Sequence, residues 1–446
     1  MSDELRGRID DRTAGVAIIG LGYVGLPLAM AFAGAGFSVV GVESDPLRAE
    51  QLMHGDSYIM DVPSETLASA IATGRFRATT DYDSLRDVDV VFVSVPTPFD
   101  RAKQPDLRFV VAAGEGIAAR LRRGQLVILE STTFPGTTDE VLRPILERSG
   151  LRAGADFYLA FSPERIDPGN RSFRIGNTPK VVGGVDETST AVARQVLECV
   201  ITQGRVVPVS SARAAELTKL FENTFRAVNI ALVNELAQLC DRMGIDVWEV
   251  IDAAASKPYG FMPFYPGPGV GGHCIPVDPY YLSWKAREYD FSAKFIELAA
   301  ETNLQMAFFT ADRVRRMLVR AGVPLYGAHI LALGASFKKD IDDARNSAAI
   351  RVIEILRGEG AHVEYHDPYV PEIRLAPALY AHGTEEGPRL MSVPLDASRI
   401  GTADCVVVLV AHSEVDYGLV LAHARRVFDA VNVTRGHQGV AAVERL

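Results

Sequence analysis

The most constraining feature of the sequence is an uncharged stretch that runs from residue 14 to residue 42. It is long enough to cross a bilayer, which takes about 20 apolar residues in a helix. However, it contains seven glycines and Pro27, and its two apolar ends read as strands around a helix-like middle. The run VAIIG shows no alternation, as expected of a parallel strand buried on both faces. We therefore predict a buried strand, a glycine-rich turn, a helix and a second strand.

The turn of this segment has the spacing Gly20-Leu-Gly22-Tyr-Val-Gly25. In a dinucleotide-binding fold the first glycine permits the tight turn, the second admits a pyrophosphate, and the third packs helix on strand. The phosphates lie at the N-terminus of the helix. Tyr23 and Val24, between the glycines, are therefore also candidate cofactor contacts.

An acidic residue follows the turn at the spacing expected of an NAD site. Glu43 ends the second strand, about 20 residues after the glycines. A carboxylate there favours the ribose 2′-OH of NAD over the 2′-phosphate of NADP. Arg48 lies close by, counts as a further candidate contact and slightly weakens that preference. The alternative is a strand-helix-strand unit whose glycines serve packing only.

Strands and helices alternate along two parts of the chain. Apolar runs at 88–96, 125–131, 157–163 and 180–185 are separated by helical patterns, which predicts a doubly wound parallel sheet. Long helical patterns end at Gly244 and span 293–321, and strands alternate with helices again after Gly322. We predict two Rossmann-like α/β domains, 1–208 and 323–446, joined by a helical domain, 209–322, that contains a long helix.

The long helix of the middle domain has an apolar stripe and a polar pair. The stripe recurs at spacings of three and four residues and consists of Leu217, Phe221, Phe225, Val228, Leu232, Leu236 and Leu239. Lys219 and Asn223 share a face beside it, close to the expected core. A polar pair there is costly without partners, and the alternative is a solvated helix edge.

Composition and charge narrow the class of protein. Hydrophobic residues make up 48% and charged residues 23%, as in ordinary globular proteins, and the net charge of −10 argues against nucleic acid as a partner. The four cysteines form no CxxC pair, so no metal site is predicted, and four reduced thiols fit a cytoplasmic protein. The opening MSDELRGRIDDRT has no apolar core, so we expect neither a signal peptide nor a membrane partner.

Hydroxyl groups follow two of the predicted strands. VSVPTPF and LESTTFPGTT each come directly after a buried apolar run. Ligands of open α/β sheets bind outside the carboxyl ends of the strands. We therefore expect Thr97, Ser131 and Thr132 to point hydroxyls at the cofactor or at the reacting carbon, the alternative being ordinary turns.

Charged groups follow two other strands. SPERIDPGN contains Glu164 and Arg165, for which a structural ion pair is the alternative. GASFKKDIDDAR places Lys338 and Arg345 after a strand of the last domain, where cations could hold phosphates or a sugar hydroxyl. A solvated charged loop is the alternative for that segment.

One cysteine lies in a turn rather than in an apolar period. In GVGGHCIPVDPYY, Asp278 and Pro279 look like an N-cap and the first residue of a helix. Because Cys274 lies just ahead of that helix, its positive end would lower the thiol pKa and raise reactivity. Nearby glycines, Gly271 among them, would let the backbone approach a ligand closely. We interpret Cys274 as a nucleophile, with a small buried thiol as the alternative.

Together these motifs resemble one family. GLGYVGLPLA, VPTP, ESTTFPGTT, SPER, Lys-x-x-x-Asn, GGHCIPVDPYY and FKKDIDDAR occur in the order found in the UDP-glucose/GDP-mannose dehydrogenase family, from about residue 14 to the C-terminus. The segment around Cys274 is most similar to that of the bacterial UDP-N-acetylglucosamine 6-dehydrogenases. The resemblance implies an N-terminal NAD domain, a central helix that builds a homodimer and a C-terminal domain that binds UDP.

The resemblance also implies a reaction, the oxidation of the C6 alcohol of a UDP-sugar to a carboxylate with reduction of two NAD+. Cys274 would attack the C6 aldehyde, and hydride loss from the thiohemiacetal would give a thioester that water hydrolyses. Lys219 would stabilise the oxyanion. Asp278 with Thr132 would position water or relay protons, and Glu164 would assist hydrolysis as a base.

The remaining candidate residues are binding residues by the same resemblance. Asn223 would bind near C6, Lys338 would hold the sugar, and Arg345 would lie near the NAD. Glu164, Lys219, Arg165 and Gly271 complete the candidate substrate contacts.

The sequence departs from the family pattern in the C-terminal domain. Val431 stands where the family usually has a substrate-binding arginine, for which Arg435 is a possible replacement. His412 lacks the usual preceding Thr-Asp, and Ala348 stands in place of a proline. UDP-N-acetylglucosamine is the leading substrate, with UDP-glucose and UDP-N-acetylmannosamine as alternatives. Other classes are a two-electron hydroxyacid or sugar-phosphate dehydrogenase and a non-catalytic nucleotide-sugar-binding protein.

Overall fold

The computed structural model describes residues 2–99, 104–167, 170, 172–272, 274–376 and 387–446. The chain forms two compact units, one of residues 1–222 with 284–291 and one of residues 223–283 with 292–446. Each unit is built around its own sheet. The predicted domain boundaries at residues 208 and 322 stay a prediction.

The first unit contains an eight-stranded sheet in the order β3-β2-β1-β4-β5-β6-β7-β8. The strands are β1 Gly15–Ile19, β2 Ser38–Val42, β3 Phe76–Thr79, β4 Val90–Val93, β5 Leu126–Leu129, β6 Tyr158–Phe161, β7 Lys180–Gly184 and β8 Val206–Pro208. The order of the first six is that of a Rossmann fold. All neighbours are parallel except β6 and β7, which are antiparallel. The first residue of β7 therefore lies at the edge where β4, β5 and β6 end.

Helices cover both faces of this sheet. They are α1 Ser2–Asp10, α2 Gly25–Gly34, α3 Pro46–Met53, α4 Ser64–Ala72, α5 Arg108–Ala118, α6 Arg143–Glu147 and α7 Glu187–Glu198, with a π-helical turn at Thr137–Leu142. Val16 and Ile18 belong to one apolar layer, and Ala17 and Ile19 to the other. Burial on both faces explains why β1 shows no alternation.

The uncharged stretch from residue 14 to residue 42 folds as β1, α2 and β2, which confirms the prediction. Within the described part of the chain, no helix has the length and apolar character that crossing a membrane requires.

The second unit contains a five-stranded parallel sheet in the order β10-β9-β13-β14-β15 and an antiparallel pair, β11 and β12. Its strands are β9 His329–Leu333, β10 His362–His366, β11 Glu372–Arg374, β12 Arg389–Met391, β13 Cys405–Val408, β14 Arg426–Asp429 and β15 Ala442–Arg445. Its helices include α9 Val247–Ala255, α11 Lys294–Arg320, α12 Ala348–Gly358, α13 Ala397–Thr402 and α14 Tyr417–His423. Helix α10, Asp278–Ala286, begins in this unit and ends in the first one. The order is that of a second doubly wound sheet, as predicted.

The long helix α8, Ala212–Met243, starts in the first unit and continues into the second. Its apolar stripe is largely exposed in the single chain: Leu217, Phe221, Phe225, Leu232 and Leu239 are 42–64% exposed. Lys219 and Asn223 are buried instead. The expectation that the stripe marks the core-facing side is therefore wrong, because a spacing pattern identifies an apolar face without showing what covers it.

Glu216 attaches α8 to the ESTTFPGTT loop. Its buried carboxylate accepts hydrogen bonds from the Gly136 N–H (2.6 Å), the Thr138 N–H (2.8 Å) and the Thr138 hydroxyl (2.7 Å). Gly136 has φ +105°, and a Cβ there would lie 2.7 Å from the Glu140 carboxylate. Burial raises the pKa of Glu216 to about 7.

The raised pKa predicts a pH-dependent stability. Because the folded state holds the Glu216 proton more tightly than the unfolded state, protonation of Glu216 increases the free energy of unfolding. This stabilisation is fully present below pH 4.5 and is lost as the pH rises through about 7. The free energy of unfolding of the wild type, relative to Glu216→Gln, should fall by about 2 to 3 kcal/mol between about pH 5 and pH 8. Denaturant unfolding measures it, and parallel pH profiles would contradict the prediction.

Candidate functional site

The glycines of the turn after β1 differ in purpose: some are required by packing, and one leaves space for a ligand. A Cβ on Gly20, which has φ +89°, would lie 2.4 Å from the Ser94 carbonyl oxygen, and one on Gly25 would lie 1.8 Å from that of Gly20. A Cβ on Gly22 would meet nothing within 4 Å. The fold itself therefore requires Gly20 and Gly25, whereas Gly22 leaves open space where a pyrophosphate is expected. The turn fits a dinucleotide.

The flanking candidates lie around this turn. Val24 is the N-cap residue of α2, and the half-buried Tyr23 packs against the apolar core. The buried Glu43 at the end of β2 accepts a hydrogen bond from the Leu21 N–H (3.1 Å), so its carboxylate is attached to the turn. The Arg48 guanidinium lies over the Tyr58 ring, 5.3 Å from its centroid.

The loops after β4 and β5 are bound to each other. The Thr97 hydroxyl donates to the Thr132 carbonyl oxygen (2.6 Å), and the Ser131 hydroxyl donates to the Val95 carbonyl oxygen (2.8 Å). Ser131 also accepts the Val95 N–H (2.9 Å). The expectation that Ser131 points its hydroxyl at a ligand is therefore wrong, because the adjacent backbone occupies that hydroxyl. Thr132 is half-buried in the loop that these bonds hold.

A buried charged cluster that the sequence interpretation missed lies at the same edge of the sheet. The Lys180 ammonium contacts the carboxylate of Glu130 and lies 3.1 Å from Oε2 of Glu164. All three residues are buried, and the Ser94 hydroxyl donates to Glu130 (2.8 Å). The local sequence signal for this cluster was a charged residue directly beside an uninterrupted apolar run. Glu130 follows the run LVIL, and Lys180 precedes the run VVGG.

The cluster sets the charge of Glu164. Burial would raise the pKa of Glu164, but Lys180 and the N–H groups of Arg165 and Ile166 (both 2.6 Å) hold it below its ordinary value. Burial raises the pKa of Glu130 despite Lys180. Burial alone would lower the pKa of Lys180, but the two carboxylates raise it to about 12. Glu164 is therefore an ionised carboxylate and a weak base.

Lys219 is bonded to the same segment. Its ammonium donates to the backbone carbonyl oxygen of Glu164 (2.6 Å). Arg165 forms an ion pair with Glu222 of α8, so the alternative of a side-chain pair between Glu164 and Arg165 is wrong. The structure thus brings Lys219 and Glu164 together, and their catalytic roles stay predictions.

In the second unit, Cys274 lies in the turn that leads into α10. Its carbonyl oxygen accepts the N–H groups of Val277 (2.9 Å) and Asp278 (2.8 Å), and α10 opens at Asp278. The thiol forms no disulfide, and the residue is half-buried. The buried carboxylate of Asp278 accepts a hydrogen bond from the Asn223 amide (2.5 Å), which gives that buried amide a partner. A solvated helix edge is therefore the wrong interpretation of Asn223.

The glycines before Cys274 are packed against the loop that follows β9. A Cβ on Gly271 would lie 2.8 Å from Cβ of Phe337, and the Gly272 N–H donates to the Arg345 carbonyl oxygen (3.1 Å). The Asn346 amide donates to the Gly272 carbonyl oxygen (3.1 Å). Our interpretation that these glycines leave room for a ligand is wrong for Gly271 and Gly272, because another loop fills that space.

The same loop carries Lys338 and is anchored by a buried histidine. The Lys338 carbonyl oxygen accepts the Ser336 hydroxyl (2.6 Å). His412 accepts the Asp340 N–H at Nδ1 (3.0 Å), so its Nε2 carries the proton and donates to Asp367 (3.0 Å). Although burial would raise it, His412 and backbone N–H groups lower the pKa of Asp367 to about 2. The half-buried Lys338 thus lies on a fixed loop beside the switch point between β9 and β13.

The remaining candidates of the second unit are engaged with protein groups. Arg345 pairs with Asp343 (2.6 Å). Val431 packs against an apolar layer of the sheet, and the Arg435 guanidinium pairs with Asp252 of α9. That Arg435 replaces the missing arginine stays a prediction.

Comparison with known proteins agrees with this geometry. Sequence models of the UDP-glucose/GDP-mannose dehydrogenase family match the chain in three parts: the NAD binding domain at residues 14–201, the central domain at 213–305 and the UDP binding domain at 331–436. The chain therefore belongs to the UDP-glucose/GDP-mannose dehydrogenase family, and its cofactor is NAD.

Individual relatives carry different sugar names. A UDP-N-acetyl-D-glucosamine 6-dehydrogenase of Pseudomonas aeruginosa is 37% identical over 400 residues, 90% of each chain. An NDP-N-acetyl-D-galactosaminuronic acid dehydrogenase of Ralstonia nicotianae is 36% identical over 418 residues, 91% of this chain and 92% of that protein. The solved structure of UDP-D-ManNAc dehydrogenase from Pyrococcus horikoshii matches with a TM-score of 0.86 at 31% identity, over 97% of this chain and 98% of that one.

Substitution of the two kinds of glycine in the turn should have different effects, one on NAD+ affinity and the other on thermal stability. Gly22→Ala should leave the melting temperature nearly unchanged and weaken NAD+ binding, because the new methyl group enters only the open space. Gly25→Ala should lower the melting temperature by several degrees, because its Cβ would collide with the Gly20 carbonyl oxygen. Thermal unfolding and NADH fluorescence titration measure both. Unchanged NAD+ affinity in Gly22→Ala would show that the cofactor does not approach this glycine.

Proposed function

We propose that the protein oxidises the C6 alcohol of a UDP-sugar to a carboxylate and reduces two NAD+ for each sugar. The observation that carries this proposal is the turn of Cys274, which places a thiol that forms no disulfide just ahead of α10, with Asp278 bonded to Asn223 in the same unit. A simple alcohol dehydrogenase has no use for a thiol held in this way. The family of the chain and its match to a UDP binding domain support the substrate class.

The thiol solves a chemical problem of the second oxidation. An aldehyde has no second easily removed hydride until a nucleophile makes its carbon tetrahedral. Addition of the Cys274 sulfur to the C6 carbon gives a thiohemiacetal, and its oxidation gives a thioester. Bound NAD supplies the acceptor for one hydride at each of the two oxidations. Water then attacks the thioester carbon, and the carbon–sulfur bond breaks to release carboxylate and thiol.

The chain supplies charge and proton transfer around these steps. The Lys219 ammonium, held on the Glu164 carbonyl oxygen, would stabilise the oxyanion that forms when sulfur or water adds. Asn223 would bind near C6, and Asp278 with Thr132 would position the water. Because the pKa of Glu164 is lowered, we assign it to orienting water and holding Lys219 rather than to strong base catalysis.

UDP-N-acetylglucosamine is the substrate we propose first. The Pseudomonas aeruginosa relative named for that sugar matches 90% of this chain at 37% identity. Relatives at similar identity are named for N-acetylgalactosaminuronic acid and N-acetylmannosamine, so the neighbouring acetamido sugars and UDP-glucose are the alternatives to test. Four cysteines that form no disulfide suit a reducing compartment, and we place the reaction in the cytoplasm.

The electron count and the thiol are tested together. With NAD+ and a panel of UDP-sugars, the wild type should form two NADH and one uronic acid per sugar. Cys274→Ala should form no acid while still binding NAD+. Cys199→Ala removes another half-buried thiol and should retain activity. One NADH per sugar, or full acid formation by Cys274→Ala, would sink the proposal, and UDP-sugar binding without NADH would favour a non-catalytic binding protein.

We further propose that α8 forms a homodimer through its exposed apolar stripe. An apolar row along a solvent-facing helix is typical of an interface, whereas scattered exposed apolar residues are not. The double variant Leu232→Glu/Leu239→Glu should shift the protein from dimer to monomer in analytical ultracentrifugation. Val440→Glu, at an 85% exposed valine outside the helix, should leave the dimer intact. A wild type that sediments as a monomer would contradict the proposal.

A further inference from the structure

Lys180 is a buried cation that the proposed mechanism does not use. The residue is 2% exposed, and its ammonium lies between two buried carboxylates, Glu130 and Glu164. Burying a charge is costly unless it is paired, and a buried triad often contributes little net stability compared with apolar residues. A cluster of this kind at the carboxyl edge of a cofactor-binding sheet therefore calls for a reason other than stability.

The contacts of Glu164 connect the cluster to Lys219. Its Oε1 accepts the N–H groups of Arg165 and Ile166, so the carboxylate shapes its own turn after β6. Its Oε2 faces Lys180 at 3.1 Å. Its backbone carbonyl oxygen receives the Lys219 ammonium at 2.6 Å. One residue thus joins the buried ion pair to the lysine that would stabilise the oxyanion.

We propose that Lys180 is a positioning residue: by binding Glu130 and Glu164 together, it fixes the turn after β6 and the carbonyl oxygen on which Lys219 is held. This inference rests on the proposed function, in which Lys219 stabilises the oxyanion. The antiparallel entry of β7 is what makes it possible, since only that direction brings Lys180 to the edge where β5 and β6 end.

Removing the Lys180 charge has a defined consequence. Without the ammonium, two buried carboxylates face each other, and one of them must take up a proton. Because burial already raises the pKa of Glu130, Glu130 takes up the first proton, but Glu164 has also lost the ammonium that lowers its pKa and is protonated at a higher pH than in the wild type. Without its partner at Oε2, and as a poorer acceptor for the two N–H groups once protonated, Glu164 no longer fixes its turn, and the Lys219 site moves. The other charged groups near Glu164 are Lys219 at its carbonyl oxygen and the Arg165–Glu222 pair beside it.

The test compares Lys180→Met with Glu130→Gln by steady-state kinetics with UDP-sugar and NAD+. Lys180→Met should lower kcat on the order of 10- to 100-fold, the cost of a small misplacement of a catalytic group, and leave KM for NAD+ within about twofold. The acidic limb of its pH profile should move to higher pH, because ionised Glu164 is lost earlier as the pH falls. In Glu130→Gln the limb should move to lower pH, because the Lys180 ammonium then pairs with the Glu164 carboxylate alone.

A merely structural role would lower the stability of both variants and leave both pH profiles in place, which would overturn the inference. Lys285→Met is the matched control, because its buried ammonium binds Glu140 (2.7 Å) and Glu288 (2.6 Å) instead. That variant should lose stability without a shift of the acidic limb. A shift in Lys285→Met equal to that in Lys180→Met would also overturn the inference.

A crystal structure of Lys180→Met separates this inference from the proposed function. If the wild type turns over no UDP-sugar, the proposed function fails, and the position of Lys219 still decides the inference. The inference holds if the Lys219 ammonium has left the Glu164 carbonyl oxygen, and it is overturned if that hydrogen bond keeps its length. Should Lys180→Met fail to fold, the pH profile of Glu130→Gln decides: a shift of its acidic limb to lower pH supports the inference, and an unchanged limb overturns it.

Discussion

The edge of the first sheet at which β4, β5 and β6 end depends on the ion pairs of Lys180 with Glu130 and Glu164. They hold the ends of β5 and β6 and the start of β7, and through Glu164 they hold Lys219. They form because β7 runs antiparallel to β6. This direction brings the first residue of β7, Lys180, to the edge where β5 and β6 end, whereas a parallel β7 would have had its last residue there. A buried cation between two carboxylates keeps Glu164 ionised, and an ionised Glu164 organises its own turn.

Helix α8 has two unlike sides, and each has a purpose. Its inner residues Glu216, Lys219 and Asn223 bond to the loop after β5, to the turn after β6 and to Asp278 respectively. Its outer residues form an apolar row that is exposed in the single chain. Polar residues are buried here because each has a specific partner, and the exposed apolar row is the surface on which the proposed homodimer rests.

The fold was largely predictable from the sequence, and the site only in part. The glycine turn, the strands without alternation and the long helix have local signatures, since backbone conformation and burial on both faces leave a regular pattern. Cys274 became a candidate nucleophile for the same reason, from turn residues ahead of a helix, and its catalytic role stays a prediction. The partners were not: Lys180 and Glu130 are 50 residues apart, and Asn223 and Asp278 are 55 residues apart. No short-range pattern records which strand end will face which.

The sequence by itself determined two doubly wound sheets, a long helix between them, an NAD turn and a cysteine at a helix start, because each is encoded within a few dozen neighbouring residues. Only the tertiary structure decided that β7 runs antiparallel, that Gly271 and Gly272 pack against the Lys338 loop, and that the apolar side of α8 is the outer one. These outcomes depend on contacts between segments that are far apart in the chain, and a local sequence pattern does not record which of those segments meet.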